Sequence, residues 1–459
     1  MSGSPAPSLD HSHIMGLLRN ILTTLGARVT TLMLALVSSI VLARSLGPDG
    51  VGLFALVLLL PGWAKALGLF GFEQANAVYA GLEPTRRPTL VWQSAAIAGL
   101  VGGITALAGA GYFVLHAPGS EVLRQGPLWL YLLPLAILPV NLVVEYWWAI
   151  LRGMNRILAL SSVEVGMKAT SLTLIIVLVG WLKLRVTGAV TANLVADLAT
   201  VTLIAVLLRR FGVLRRPSLD VPLLKRTFRF ALPAHGATVT SFANYRAGEL
   251  VTAMLLPPDQ LAFYVIAVGL GERLWILTGS VANALLPHLT NSPTRDPALP
   301  ALVARHVMIW TAGACLFLFA GAKVIIRLLY SSTFVPAAAP LRWLLPGILV
   351  LSVGKVLLAE LLAREKSRYQ FLASVSAAAL NLIGTLVLVP GMGISGAALA
   401  SSISYSVLSL LLIWCYLRET GQPWSRLVPR PSDLMAYATV LQRADVLGLV
   451  RGAPRHVRP

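Results

Sequence analysis

Charged residues are scarce in this sequence. Only 12% of its 459 residues are Asp, Glu, Lys or Arg, whereas soluble globular domains contain about 25%. Hydrophobic residues make up 57%, and the mean hydropathy is +0.78. This composition excludes a soluble globular protein. Because apolar runs of about 20 residues, long enough to cross a bilayer, recur from end to end, the sequence predicts a polytopic membrane protein.

Cysteines and cofactor motifs are also sparse. Cys315 and Cys415 both lie inside apolar runs, which is typical of buried thiols and offers nothing to metal or redox chemistry. The segment "GMGISG" (391–396) matches G-x-G-x-x-G, but it joins two membrane runs, and no βαβ unit surrounds it. There is no Walker A, H-E-x-x-H or G-x-S-x-G motif. We therefore expect no cofactor, no metal and no ATPase activity in this chain.

The apolar runs predict an all-α fold with about twelve transmembrane helices. Breaking these runs at charged residues and at Pro/Gly clusters gives the boundaries. The predicted spans are 20–44, 51–80, 89–115, 127–151, 158–182, 187–208, 228–255, 260–288, 301–329, 338–363, 369–389 and 394–417.

Acidic residues number 18 against 37 Lys and Arg, giving a net charge of +19. With the N-terminus in the cytoplasm, 24 of the 37 basic residues fall on cytoplasmic segments and six on the opposite side. The positive-inside rule therefore predicts a multi-pass protein with both termini in the cytoplasm. The basic excess indicates topology and contact with anionic membrane lipids, and it argues against nucleic-acid binding.

The chain contains an internal repeat. At an offset of 210 residues, "RNILTTLGARVTTL" (19–32) aligns with "RFALPAHGATVTSF" (229–242), and "LRGMNR" (151–156) aligns with "AREKSR" (363–368) at an offset of 212. Six helices per repeat make the two repeats parallel, a MATE-like arrangement of two lobes with a cavity between them. The predicted domains are a lobe at 1–212, a basic cytoplasmic linker at 213–227, a lobe at 228–418 and a cytoplasmic tail at 419–459.

Several charges fall deep inside the predicted spans, where each costs about 2.5–3.5 kcal/mol on insertion scales. We interpret four cations as candidates for lining the cavity and three acids as candidates for coupling to ions. A cationic cavity suits a phosphate-bearing substrate. Glu73 is expected on the same helical face as Lys65, eight residues earlier. The cations are Arg28, Lys65, Arg246 and Arg273, and the acids are Glu73, Glu249 and Glu272.

The stretch "VLARSLGPDGVGLFALVLLL", followed by "LGLFGFEQANAVYA", resembles the opening of bacterial polysaccharide flippases of the Wzx type. The matching residues are Ala43, Arg44, Leu46, Gly47, Pro48, Gly50, Gly52 and Phe54. The superfamily of these flippases also contains MATE exporters and lipid II flippases. In lipid II flippases a basic pair lies partway along the second helix, whereas Lys65 is followed here by Ala66. The resemblance therefore favours a surface-polysaccharide repeat unit over lipid II.

The resemblance implies that the protein is a flippase and not an enzyme. Its expected substrate is an undecaprenyl-diphosphate-linked oligosaccharide, moved across the bacterial inner membrane by alternating access for O-antigen, capsule or exopolysaccharide synthesis. Expected partners are this lipid-linked oligosaccharide, membrane lipids, and polysaccharide polymerase and chain-length proteins. Two alternatives stay open: a MATE-like cation-coupled exporter of small molecules, and a membrane glycosyltransferase or polysaccharide polymerase.

Overall fold

The computed structural model describes residues 11–116, 126–291, 298–430 and 433, and within these ranges it contains helices and no strands. Fourteen α-helices, α1–α14, are numbered in chain order. They are α1 His11–Gly68, α2 Phe72–Leu82, α3 Arg87–His116, α4 Leu128–Ala136, α5 Leu138–Gly153, α6 Ile157–Ile175, α7 Arg185–Arg210, α8 Val221–Leu255, α9 Pro258–Glu272, α10 Trp275–Asn291, α11 Leu299–Leu329, α12 Ala338–Ala363, α13 Ser367–Met392 and α14 Ile394–Thr420.

Nine helical segments in the described ranges are long and apolar enough to cross a membrane. The all-α membrane fold is thus confirmed, while the count of twelve spans is met only in part. The first segment, Gly26–Gly68, covers 43 residues and takes in most of two predicted spans. The predicted span 260–288 is divided between α9 and α10, which have 15 and 17 residues.

The predicted helix 51–80 is broken, which corrects the expected relation between Lys65 and Glu73. Helix α1 ends at Gly68, Gly71 has a left-handed backbone (φ 72°), and Glu73 lies in the first turn of α2. An ideal Cβ on Gly71 would lie 2.2 Å from the carbonyl oxygen of Ala231 in α8. This close approach requires glycine, so the break also joins α2 to α8.

Helix α1 is interrupted at Gly47 (φ 68°, ψ −179°), within the Gly-Pro-Asp-Gly turn of the sequence. We call the end of the molecule that contains Gly47 the hairpin end. We call the opposite end, where residues 211–220 connect α7 to α8, the linker end. Residues on both sides of Gly47 line one cavity, so the two limbs of α1 act as separate membrane segments.

The basic linker is shorter than predicted, because α8 begins at Val221 and includes the second half of 213–227. Asp220 caps α8 by accepting a hydrogen bond from Leu223 N at 3.0 Å, and it pairs with Arg86 at 3.0 Å. Gln93 Nε2 donates to Asp220 O, and Trp92 Nε1 donates to Arg215 O. These contacts attach the connection to α3. Most of the predicted tail, from 434 onward, lies outside the described residues.

Helices α1 and α2 supply the main contacts between the N-terminal set, α1–α7, and the C-terminal set, α8–α14. Helix α1 packs against α9, and α2 packs against α8. At the first contact, an ideal Cβ on Gly52 would lie 1.8 Å from the carbonyl oxygen of Pro258. Gly52 follows the Gly-Pro-Asp-Gly turn, and Pro258 is the second residue of the Pro-Pro-Asp turn, so the two turns touch each other.

Candidate functional site

A cavity of about 460 Å³ lies where the two helix sets meet. Both limbs of α1 supply an apolar wall, and α8, α9 and Tyr330 supply most of the polar groups. The lining residues are Ser39, Leu42, Val51, Phe54, Ala55, Leu58, Leu59, Arg246, Glu249, Val265, Ile266, Gly269, Arg273 and Tyr330. We call this space the central cavity. Arg246 lies nine residues before the end of α8, about 14 Å from the hairpin end at 1.5 Å per residue, which puts the cavity near mid-membrane.

Arg246 is held between two acids. Its Nη1 contacts Glu249 Oε1, and its Nη2 lies 3.4 Å from Glu272 Oε2. The acid side chains are only 13% and 23% exposed, and burying them unpaired would be costly. Arg246 is therefore neutralised by its own neighbours, and this group alone carries a net charge of −1.

Arg273 has a different environment in the same cavity. Its Nη1 donates to Gly269 O at 2.6 Å, and its Nη2 donates to Ser39 Oγ at 3.3 Å. Ser39 Oγ also lies 3.2 Å from the hydroxyl of Tyr330. Within the described part of the chain, the Arg273 guanidinium forms no salt bridge. Arg273 is thus a cation that faces the cavity with only neutral hydrogen-bond partners.

An aromatic group with a lysine at its centre borders this cluster. Lys355 Nζ lies 3.7 Å from the ring centroid of Trp275 and 5.3 Å from that of Tyr245. Tyr405 packs against both rings, with centroids 5.3 and 5.7 Å away. Cation–π contacts offset the cost of a lysine inside the protein. The sequence analysis did not single out this group, because its members come from α8, α10, α12 and α14.

The remaining predicted site residues lie outside the central cavity. Arg28 Nη1 donates to Ser280 Oγ at 2.8 Å, joining α1 to α10. Lys65 Nζ pairs with Glu145 Oε1 at 2.6 Å, a partner 80 positions further along the chain. Glu73 Oε2 is buried and has no hydrogen-bond partner among the described residues. The structure thus brings together Arg246, Arg273, Glu249 and Glu272, and separates the other three.

A larger cavity, of about 870 Å³, lies towards the linker end between α2, α8 and α13. Arg229, Arg368, Gln74 and Ser241 are among its lining residues, and we call it the linker-side cavity. The T-shaped pair of Trp63 in α1 and Phe242 in α8 has ring centroids 5.2 Å apart. Gln74 Nε2 donates to Thr238 Oγ1 at 2.8 Å, and both residues line this cavity. Both contacts join the N-terminal helix set to the C-terminal one.

The hairpin end is closed by a second group of contacts. Arg44 donates from Nε to Leu329 O at 2.9 Å and from Nη2 to Leu328 O at 2.5 Å. These are carbonyls of the last turn of α11, where a positive charge also interacts favourably with the helix dipole. Together with the Gly52–Pro258 contact, they join α1 to α9 and α11 at this end.

A neutral polar network is buried beside the cavity, where α8, α9, α13 and α14 meet. Ser404 Oγ donates to Asn244 Oδ1, and Asn381 Nδ2 donates to Asn244 O, both at 2.5 Å. Ser401 Oγ lies 3.3 Å from Asn381 Oδ1 and 3.1 Å from the Tyr264 hydroxyl. Within the ranges the structure describes, no group of three or more His, Cys, Asp or Glu could hold a metal ion.

The central cavity, the repeat-related turns and the helical membrane fold agree with one family of proteins. Residues 17–292 match the family described as "polysaccharide biosynthesis protein". The chain belongs to this family. No curated protein sequence matches it significantly.

The fold is shared with solved transporter structures. Lipid II flippase MurJ in an inward closed conformation has a TM-score of 0.73 and 14% identity, over 95% of this chain and 94% of that one. A multidrug resistance MATE family transporter in an inward-facing conformation has a TM-score of 0.66 and 14% identity, over 87% and 98%.

A third structure is a MOP superfamily transporter from Pyrococcus furiosus, for which reverse polarity of the binding pocket suggests a different function. It has a TM-score of 0.59 and 13% identity, over 88% and 95% of the two chains. Family and fold together make this chain a multi-pass membrane protein of the flippase and transporter type. The predicted Wzx-like and MATE-like resemblance is confirmed at this level.

Proposed function

We propose that this protein is a flippase that moves a polyprenyl-diphosphate-linked oligosaccharide across the cytoplasmic membrane by alternating access. Its product would supply the synthesis of a surface polysaccharide such as O-antigen, capsule or exopolysaccharide. In this proposal both termini lie in the cytoplasm, so the linker end faces the cytoplasm and the hairpin end faces the periplasm. A polysaccharide polymerase and chain-length proteins then act on the product.

The observation that carries this proposal is the environment of Arg273. Among the described residues its guanidinium forms no salt bridge and donates only to neutral oxygens, although a charge near mid-membrane is costly. Arginine binds phosphate oxygens through paired, charge-assisted hydrogen bonds. Arg246 is occupied by Glu249 and Glu272, so Arg273 is the arginine of this neutral cluster whose donors are available to a diphosphate.

The shape and composition of the cavity support a lipid-linked substrate. Its volume is within the range of about 300–1,000 Å³ typical of small-molecule sites. The α1 wall contributes Leu42, Val51, Phe54, Leu58 and Leu59, which can face a polyprenyl chain while Arg273 faces the diphosphate. A cavity with one charged and one apolar wall therefore fits an amphiphile better than a free sugar.

Contacts at both ends support alternating access between two lobes, residues 1–212 and 228–418. Arg44 and Gly52 close the hairpin end, while Trp63–Phe242 and Gln74–Thr238 close the linker side. In this proposal, breaking the Trp63–Phe242 and Gln74–Thr238 contacts would join the linker-side cavity, with Arg229 and Arg368, to the central cavity. Breaking the contacts of Arg44 and Gly52 would open the central cavity at the hairpin end.

The acids have a separate role in this proposal. Glu249 and Glu272 are both occupied by Arg246, and a cation or proton that binds them would release Arg246 toward the substrate. This would couple ion binding to the charge of the cavity. Arg28 and Lys65 are assigned to contacts between helices, with Ser280 and Glu145, and Glu73 lies outside the central cavity with no role in this proposal.

The test is a flipping assay in proteoliposomes with a fluorescent undecaprenyl-diphosphate oligosaccharide. Translocation is measured by a membrane-impermeant quencher over a range of substrate concentrations. A hydrogen bond to a charged group contributes about 1.5–3 kcal/mol, so Arg273→Gln is expected to raise the half-saturating concentration about 10- to 150-fold.

The matched control is Arg327→Gln, which removes the same charge from an exposed position at the end of α11 and should leave the assay unchanged. Flipping by Arg273→Gln at wild-type affinity would remove Arg273 from the site. If the wild type does not flip the labelled lipid but exports cationic drugs from the same vesicles, the protein is a MATE-like exporter and the proposal is wrong.

A further inference from the structure

A pocket of about 310 Å³ lies at the linker end, away from both transport cavities. It is formed by the first turn of α11, residues 298–302, and by three arginines: Arg305, Arg426 and Arg430. Arg305 lies on α11, and the other two follow α14. We call it the arginine pocket. Nothing in the transport cycle proposed above uses it.

Arg305 is the buried part of this pocket. It is 9% exposed, and its Nη2 pairs with Asp433 Oδ1 at 3.1 Å. Its Nε is buried and has no hydrogen-bond partner among the described residues. A buried guanidinium N–H without an acceptor costs free energy, so the pocket retains an unused donor.

The other charges do not satisfy that donor. Asp433 is the acid that pairs here, and its second oxygen accepts a hydrogen bond from Arg430 N at 2.9 Å. The side chains of Arg426 and Arg430 are exposed and form no salt bridge with any residue that the structure describes. Among the described residues, three guanidinium groups against one carboxylate give the pocket a net charge of +2.

The helix end adds to this positive potential. Helix α11 is 31 residues long, and its N-cap, Ala298, provides no side-chain cap. The N-terminus of a helix attracts anions through its free N–H groups and its dipole. The N-terminus of α11 and the arginines of the pocket therefore favour the same kind of ligand, a compact anion with several acceptor oxygens.

The surroundings indicate where that anion comes from. Leu302, Trp424 and Val428 are 40%, 56% and 45% exposed around the pocket. Further along α11, Trp310, Leu316 and Phe317 are 57%, 70% and 69% exposed, an apolar surface that faces lipid in a membrane protein. The pocket thus lies where this lipid-facing surface ends, at the level of the headgroups, and exposed tryptophan is enriched there.

We propose that the arginine pocket binds the phosphate of an anionic membrane phospholipid. The phosphate would accept hydrogen bonds from Arg426 and Arg430 and lie against the Arg305 guanidinium, and the acyl chains would lie along α11. Basic pockets at the cytoplasmic ends of membrane helices bind anionic headgroups in this way. Because the site is separate from the central cavity, the inference does not depend on the substrate proposed above.

The experiment is native mass spectrometry of the full chain in detergent, titrated with phosphatidylglycerol, with phosphatidylcholine and with inorganic phosphate. The variant is Arg426→Gln/Arg430→Gln, which leaves the Arg305–Asp433 pair in place and so preserves the fold. The matched control is Arg209→Gln/Arg210→Gln, which removes the same charge from exposed positions at the end of α7.

We expect wild type to bind phosphatidylglycerol at least tenfold more tightly than phosphatidylcholine. The Arg426/Arg430 variant should lose this preference, and the Arg209/Arg210 control should keep it. Inorganic phosphate at millimolar concentration should not displace the lipid. The proposal is overturned if the Arg426/Arg430 variant keeps the preference, if the control loses it equally, or if inorganic phosphate displaces the lipid and so identifies a site for the free anion.

Discussion

Replacing Gly52 with alanine tests whether the two helix sets meet at the hairpin end as the structure describes. An ideal Cβ at this position lies 1.8 Å from Pro258 O, 2.3 Å from its carbonyl carbon and 2.8 Å from its Cα. All three atoms belong to the backbone of α9, so no side chain can move aside. The methyl group can be accommodated only if α1 and α9 move apart.

The size of the effect follows from these distances. Real Cβ contacts are essentially absent below 3.0 Å, so the two backbones must separate by about 1.2 Å. Inserting a methyl group into a tightly packed contact costs about 1–3 kcal/mol, which moves an equilibrium between closed and open forms about 5- to 150-fold. Alanine itself favours the helix by about 1 kcal/mol over glycine, so α1 is not expected to unfold.

The assay is pulsed electron paramagnetic resonance between spin labels at Asp49→Cys and Met254→Cys, two exposed positions near the touching turns, in a Cys315→Ala/Cys415→Ala background. Gly52→Ala should increase the population at long distances, which corresponds to an open hairpin end. The control is Gly62→Ala in the same helix, where a Cβ would meet nothing within 4 Å. Unchanged distances in Gly52→Ala, or an equal shift in Gly62→Ala, would refute the reasoning.

Two further substitutions examine single contacts. Arg44→Gln removes two hydrogen bonds to the last turn of α11 and should increase the population of long distances between the spin labels at positions 49 and 254. Arg327→Gln is the control and should leave that population unchanged. Equal distances in the two variants would contradict the role of Arg44. Lys65→Met leaves the Glu145 carboxylate without its partner, so the thermal unfolding temperature in detergent should fall. Adding Glu145→Gln should restore part of it, because no unpaired charge then remains at this position. A double variant less stable than Lys65→Met alone would show that this pairing does not matter.

The helix boundaries were predictable where charge or a turn interrupts an apolar run. The predicted span 338–363 coincides with α12, and the predicted span 394–417 begins where α14 begins. The interruptions inside runs were not predictable. The break at 69–71 lies in apolar sequence, whereas the break at Arg273–Leu274 follows Glu272 inside a predicted span. The first break is stabilised by a neighbouring helix, as the approach of Gly71 to Ala231 demonstrates.

The sequence was enough to predict which residues belong to the candidate site, but not which of them are in contact. Deep charges are costly, so their positions alone singled out Arg246 and Arg273. The pairing of Arg246 with Glu249 follows from helical spacing. Its contact with Glu272 depends on how α8 and α9 pack, and no local pattern carries that information. The ring of aromatic residues around Lys355 was missed for the same reason.

The sequence by itself determined the class of this protein. Few charges, long apolar runs and a repeat of about 210 residues leave a helical membrane fold as the solution, because a backbone inside lipid must satisfy its own hydrogen bonds. Only the tertiary structure decided which of the costly charges meet. The rotation and packing of the helices pair Lys65 with Glu145, place Arg28 in hydrogen-bond contact with Ser280 and bring Gly52 against Pro258. They also leave Arg273 facing the central cavity with neutral partners.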